Sequence, residues 1–243
     1  MKNHSVARSL FLPLALVVLS SLAGCGPSTV KVDGDVFIVT KSGESVKLAL
    51  VEVRAVPAAE MARFLRAKID ATLLEIQART AALEQARASY DEADQALQKV
   101  QKENAARTTK ANSLAEMNAI LESIIKEGRG KRATDELFSR EKTLDKAKAD
   151  LEHWVSPAPY FEGLPSGTVS TRTDPDGKFT LTLSRNQRVV LIAEAQRQVL
   201  DKTEHDYWMV PIMPDKTRTE RTFLSNDDLF DPVMAEKLLA LIK

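Results

Sequence analysis

The sequence predicts an α+β protein. It would be a small antiparallel β-sandwich of about seven strands, with a long antiparallel helical hairpin inserted after the second strand and a short C-terminal helix. Three observations predict this. Residues 58–127 contain neither glycine nor proline and are rich in Ala, Glu, Gln, Lys, Arg and Leu, the strongest helix formers. Segments with strand-like alternation lie on both sides of that stretch, at 35–56 and at 168–224. Residues 232–242 return to helical spacing, with Asp231 placed to cap and Pro232 at the first position.

The elements follow in order. Residues 1–24 combine Lys2 and Arg8 with a short apolar run, LFLPLALVVL, too short to span a bilayer as a resident helix, and read as a secretory signal. The signal ends in LAGC, and Cys25 is the only cysteine of the chain, so no intrachain disulfide forms. Residues 25–56 are expected to supply the first part of the sandwich. In it, DVFIVT (35–40) and VKLALVEVRAV (46–56) form a hairpin, with Ala49, Val51, Val53 and Ala55 on one face and Glu52 and Arg54 on the other. Residues 57–155 are the inserted rod. Ala62, Ile69, Ile76, Leu83, Tyr90 and Leu97 recur every seven residues, with Ala86, Ala93 and Val100 beside them, as in a coiled-coil seam. The polar stretch 101–113 (QKENAARTTKANS) is the expected tip. Leu114, Met117, Leu121, Ile124 and Ile125 begin the return, and Leu137, Leu144 and Leu151 continue it. The two return segments do not share a heptad register, so Gly128-Arg129-Gly130 between them is expected to break or unwind the helix. Residues 156–224 carry a patternless stretch (156–167) and then five strands, at 168–172, 178–184, 188–195, 206–213 and 218–224. Residues 225–243 hold the final helix.

Asp174-Pro175-Asp176-Gly177 reads as a turn between paired strands: Pro175 suits its second position and Gly177 the positive φ that closes it. A calcium loop needs oxygen ligands spread over about twelve residues and a closing glutamate. Thr180, Thr182 and Ser184 stand in that place instead.

Charge excludes some partners. The chain has 34 basic and 34 acidic residues, and no clustered basic excess marks it for nucleic acid. Loss of residues 1–24 removes two of the basic residues and none of the acidic ones, for a formal charge of −2. No nucleophile motif, phosphate loop or metal-ligand constellation is present, so no catalytic residue, metal or cofactor is expected. His153 is expected at a helix end and His205 in a solvated loop. Tyr160, Phe161, Tyr207 and Trp208 are the candidate contacts for a ligand or partner, or else aromatic packing at the junction of sheet and helix.

Two resemblances add to this reading. The LAGC ending resembles the lipobox of bacterial lipoproteins, which implies cleavage before Cys25 and acylation of its thiol. It also implies a place in the cell envelope, and Gly26 after the cysteine resembles lipoproteins sent to the periplasmic side of an outer membrane. The opening VDGDVF (32–37), the TDPDGKF turn, RVVLIA (188–193), DYWMV (206–210) and FLSNDDL (223–229) together resemble the carboxypeptidase regulatory-like, or transthyretin-like, β-sandwich. That family implies a non-catalytic folding or interaction module and contributes no functional residue. The function expected is therefore a lipid-anchored structural or interaction protein, whose rod meets an unknown protein partner or a second copy. The alternatives are a periplasmic adaptor of a transport or efflux system, which also carries a helical hairpin in a β domain, and a cell-wall glycan-binding module resting on the aromatics.

Overall fold

A computed structural model describes residues 29–214 and 220–242. Cys25 and residues 1–24 lie outside the described residues, as do positions 218 and 219 of the last expected strand.

The class is α+β, with a long helix, two sheets and a short C-terminal helix. The first sheet is built on β1 (Thr29–Val39). Strand β5 (Lys178–Ser184) flanks it antiparallel and β8 (Glu220–Leu224) flanks it in parallel, while β2 (Ser45–Lys47) pairs with its last residues. The second sheet is antiparallel throughout, in the order β4 (Val169–Arg172), β3 (Glu52–Pro57), β6 (Val189–Val199), β7 (Lys202–Ile212). One core lies between the sheets. Val32, Val36, Phe179, Leu181 and Leu224 from the first meet Val53, Leu191, Ala193 and Trp208 from the second. Gly34 interrupts the valines of β1 because its partner Phe179 occupies that space: a Cβ on Gly34 would sit 2.3 Å from the Phe179 Cζ.

Several expectations are corrected here. The described residues form eight strands rather than seven, and the long helix follows the third strand rather than the second. Residues 46–56 are two strands in different sheets. The chain crosses between layers at 48–51, through Leu50 at φ 60°. Buried Thr173 fastens the crossing, since its Oγ1 accepts from Val51 N at 2.9 Å and donates to Leu48 O at 2.7 Å. Asp174–Gly177 is a turn, but β4 and β5 belong to different sheets, so it is a corner between layers and not a hairpin. Asp174 Oδ1 accepts from the backbone N–H of Asp176 and of Lys178, both at 2.9 Å, which commits that oxygen to the turn. Gly177 (φ 73°) lies so close to β1 that a Cβ would meet Val36 O at 2.6 Å.

Helix α1 (Ala58–Thr108) runs unbroken for 51 residues, about 76 Å at ~1.5 Å per residue. Residues 101–108 are therefore helical, and the turn occupies 109–113. Arg107 is polar because it reaches across to Glu127 (2.8 Å) and Ser123 (2.6 Å), not because the chain reverses there. α2 (Leu114–Glu127) starts at Ser113, whose hydroxyl accepts from Glu116 N, and ends at Gly128 in the left-handed region (φ 61°). α3 (Arg129–Val155) begins at once, so one glycine resets the register of the returning arm while α1 stays continuous. The residues expected to be patternless include a short helix, α4 (Ala158–Phe161). Strand β8 leads through Asn226–Asp228 and Pro232–Met234, both 3-10 turns, to α5 (Ala235–Ile242), and Asp231 Oδ1 accepts from Val233 N at 2.9 Å.

Candidate functional site

The β unit has two ends, and the pairing registers say what lies at each. Thr29 pairs with Ser184, Pro57 with Val189, and Val189 with Ile212. The start of β1 and the root of α1 therefore share one end, where Ala58 N donates to Arg188 O at 3.0 Å. From that end α1 does not continue outward. Met61, Leu65 and Ile69 are buried with Val56, Val190, Ile192 and Met209, which point away from the sandwich core on the outer face of the second sheet. Helix α5 covers the same face with Ala235, Leu238, Leu239 and Ile242. It ends beside the root, where Arg188 Nη1 donates to Leu241 O at 2.8 Å. Thus α1 crosses the sheet from the Thr29 end towards the opposite end before it leaves.

Where it leaves, an aromatic cluster closes the junction. Phe161 lies 4.7 Å from Tyr207 and 5.7 Å from Phe230, and Tyr160 lies 5.2 Å from Phe230. Tyr160 and Phe161 are buried and Tyr207 is half-buried. Burial raises the pKa of the Tyr160 phenol, and burial followed by the charge of Glu194 raises that of Tyr207. Trp208 points the opposite way, into the core between the sheets, with no exposure, and its Nε1 donates to Ser225 O at 2.8 Å. Of the four expected contact residues, three are thus brought together and the fourth is turned away. Tyr160, Phe161 and Trp208 present no open ring face, and only Tyr207 is partly accessible. Phe230 joins the cluster too, although an isolated phenylalanine beside a turn carries no periodic signal in the sequence.

The resembling segments also acquire places. Leu224 is buried in the core, Ser225 receives the Trp208 indole, Asn226 grips Val39 through N–H···O bonds of 2.6 and 3.1 Å, and Asp228 Oδ2 accepts from Ser225 N and Oγ. These residues close the end of the β unit where β1 finishes.

Beyond the junction α1 and α3 run antiparallel, with Arg79, Ala82 and Ala86 beside Thr143, Ala147 and Asp150, and Glu103 paired with Arg129 at 2.7 Å. Ala62 belongs to the packing on the sheet and not to the rod seam, which starts near Ile69. Above that point Ala86 and Ala93 are buried, and Ile76, Leu83, Tyr90, Leu97 and Val100 are half-buried. Near the tip the hydrogen bond from Arg107 lowers the Glu127 pKa. Leu114, Leu121 and Ile125, expected in the return arm, are exposed.

His153 lies 3.8 Å from Glu162, and His205 stacks on Tyr207 and lies 3.8 Å from Glu194. Asp206 is buried, its Oδ2 lacks a hydrogen bond, and Arg197 is 3.5 Å away. Burial raises the Asp206 pKa against the opposing pull of Arg197. Among the described residues no group of three or more His, Cys, Asp or Glu is placed to hold a metal ion, and no helix is long and apolar enough to cross a membrane. The chain matches no family model, no curated protein and no solved structure.

Proposed function

We propose that this chain is a lipid-anchored, non-catalytic protein of a bacterial cell envelope, standing on acylated Cys25 and presenting the far end of a coiled-coil rod to a protein partner. The observation that carries the reading is the opposition of tether and rod. Only residues 26–28 separate Cys25 from Thr29, a reach of about 14 Å at ~3.5 Å per residue. The Thr29 end of the β unit would then face the bilayer. The rod passes over the second sheet and leaves towards the other end. Its free length above the junction, from about residue 75 to Thr108, is roughly 50 Å at 1.5 Å per residue. The β unit adds about 36 Å below it, for the 11 residues of β1 at ~3.3 Å each. Two or three acyl chains hold such a body on the membrane where one is marginal, and a formal charge of −2 after cleavage gives anionic lipid nothing to hold.

The β unit is read as an interaction module of the carboxypeptidase regulatory-like type, interrupted by the helical hairpin, with the periplasmic side of an outer membrane as its location. Its two faces have different work. The outer face of the second sheet roots the rod through Leu65, Ile69 and the Tyr160–Phe161–Tyr207–Phe230 cluster, so movement at the rod is transmitted to the β unit. Burial of three of the four candidate aromatics counts against a glycan platform at this place.

Cys25→Ser tests the anchor. Membrane fractionation should find the variant soluble or uncleaved, and a labelled acyl precursor should no longer mark it. Unchanged anchoring would refute the lipoprotein reading. Crosslinking in cells from the turn at 109–113 tests the rod: capture of a transporter subunit would favour the adaptor.

A further inference from the structure

The outward face of α2 carries a second seam. Leu114, Leu121 and Ile125 are 83%, 43% and 77% exposed. Together with exposed Asn118 they follow one another at steps of four, three and four residues, the alternation of a coiled coil. Leu114 and Leu121 occupy its d positions, and Asn118 and Ile125 its a positions. Half-buried Met117, Ile120 and Ile124 form a different row, about 90° away around the helix at ~100° per residue, and face the rest of the rod.

We infer that α2 pairs with α2 of a second copy, in parallel and in register. Isoleucine at a with leucine at d favours two parallel strands. A single asparagine at a fixes register, because its amide is satisfied only by the same amide across the axis; a shift by one heptad buries it against Ile125, and a reversed pairing buries it against leucine. No like charges meet across the seam: the positions flanking it are Ala115, Met117, Glu122 and Ile124, and parallel pairing sets Glu122 beside Met117 of the second copy. Fourteen residues are too few to pair firmly in dilute solution. The remainder comes from the orientation proposed above, on which this step rests. Copies anchored through the Thr29 end of one membrane point the same way and carry their α2 helices at one height, so pairing occurs at a raised local concentration.

The test uses the full chain in its own membrane, oxidised and run without reductant. Asn118→Cys should yield a disulfide-linked dimer at about tenfold the level of Ala119→Cys, which lies at the same height outside the seam, and of the unmodified chain, which reports any pairing through Cys25. Adding Leu121→Lys to Asn118→Cys should remove the dimer, with the helical circular dichroism unchanged. Equal crosslinking at 118 and 119, none at either, or a crosslink to a chain of another mass overturns the pairing. Acyl labelling of Cys25 in the same samples reports the anchor separately. With Cys25→Ser added, the dimer should fall at low protein concentration and return as concentration is raised.

Discussion

Replacing Leu65 by alanine tests whether the rod is rooted on the β unit or merely attached to it. Leu65 has no exposed surface, and it packs between the second sheet and the C-terminal helix. Alanine removes three buried carbons, about 2.4 kcal/mol of transfer free energy at ~0.8 kcal/mol each. The surrounding strands and helices relax only in part, so the space left behind adds to the cost, and about 3–4 kcal/mol is expected. Leu74, one helical region further along and 68% exposed, is the control, and Leu74→Ala should cost within about 0.5 kcal/mol. The assay is urea unfolding followed by far-UV circular dichroism for the helices and by tryptophan fluorescence for the core. A Trp154→Phe background leaves only Trp208, which sits between the sheets, to report the latter. Both signals should move to lower urea together. A Leu65→Ala effect of under about 1 kcal/mol, or a shift of the helical signal with Trp208 unmoved, would refute the packing of α1 on the sheet as the source of coupling.

Three further outcomes are expected. Gly34→Ala would place a methyl 2.3 Å from the Phe179 ring and 2.9 Å from Thr222 O, forcing a core aromatic aside, and should cost about 1–3 kcal/mol in the same unfolding assay. Asp206→Asn should raise the melting temperature at neutral pH. Burial raises the carboxyl pKa in the folded chain, so folding takes up a proton, and stability falls as pH rises from the ordinary carboxylate range through the folded value. The gain should shrink to nothing as pH is lowered below that range; a gain independent of pH would show that charge is not the cause. Deleting one heptad from each arm, 83–89 together with 140–146, keeps Ala82 opposite Ala147 and should shorten the rod while leaving the Trp208 unfolding midpoint in place. Loss of cooperative unfolding at Trp208 would show that the β unit depends on the rod's length.

Much of the architecture is local in origin and therefore readable from the chain. The long helix follows from residue types acting within a few positions of one another, with no glycine or proline between Pro57 and Gly128. The break at Gly128 follows from a heptad mismatch that can be counted. The Asp174–Gly177 turn follows from an aspartate that bonds its own backbone and a glycine that accepts positive φ. Other features are not local. Residues 46–56 alternate in the same way whether they form one strand or two, so the crossing between layers at Leu48–Val51 is set by Thr173, which lies far away in sequence. An apolar sector on α2 shows that something is to be covered but not by what, so the sequence places Leu114, Leu121 and Ile125 in the returning arm without saying which way they face. Arg107 and Asn104 look like tip residues because a polar seam and a loop share one composition.

The sequence by itself determined the long uninterrupted helix, the reset at Gly128 and a β unit made from two separated stretches, because each rests on short-range chemistry or on a repeat that can be counted. Tertiary structure alone decided that α1 folds back across the second sheet, that Tyr160, Phe161, Tyr207 and Phe230 close its root while Trp208 turns inward, and that the rod departs away from Thr29. Those choices depend on which apolar faces bury one another, and that is settled only when distant strands and helices compete for the same surface.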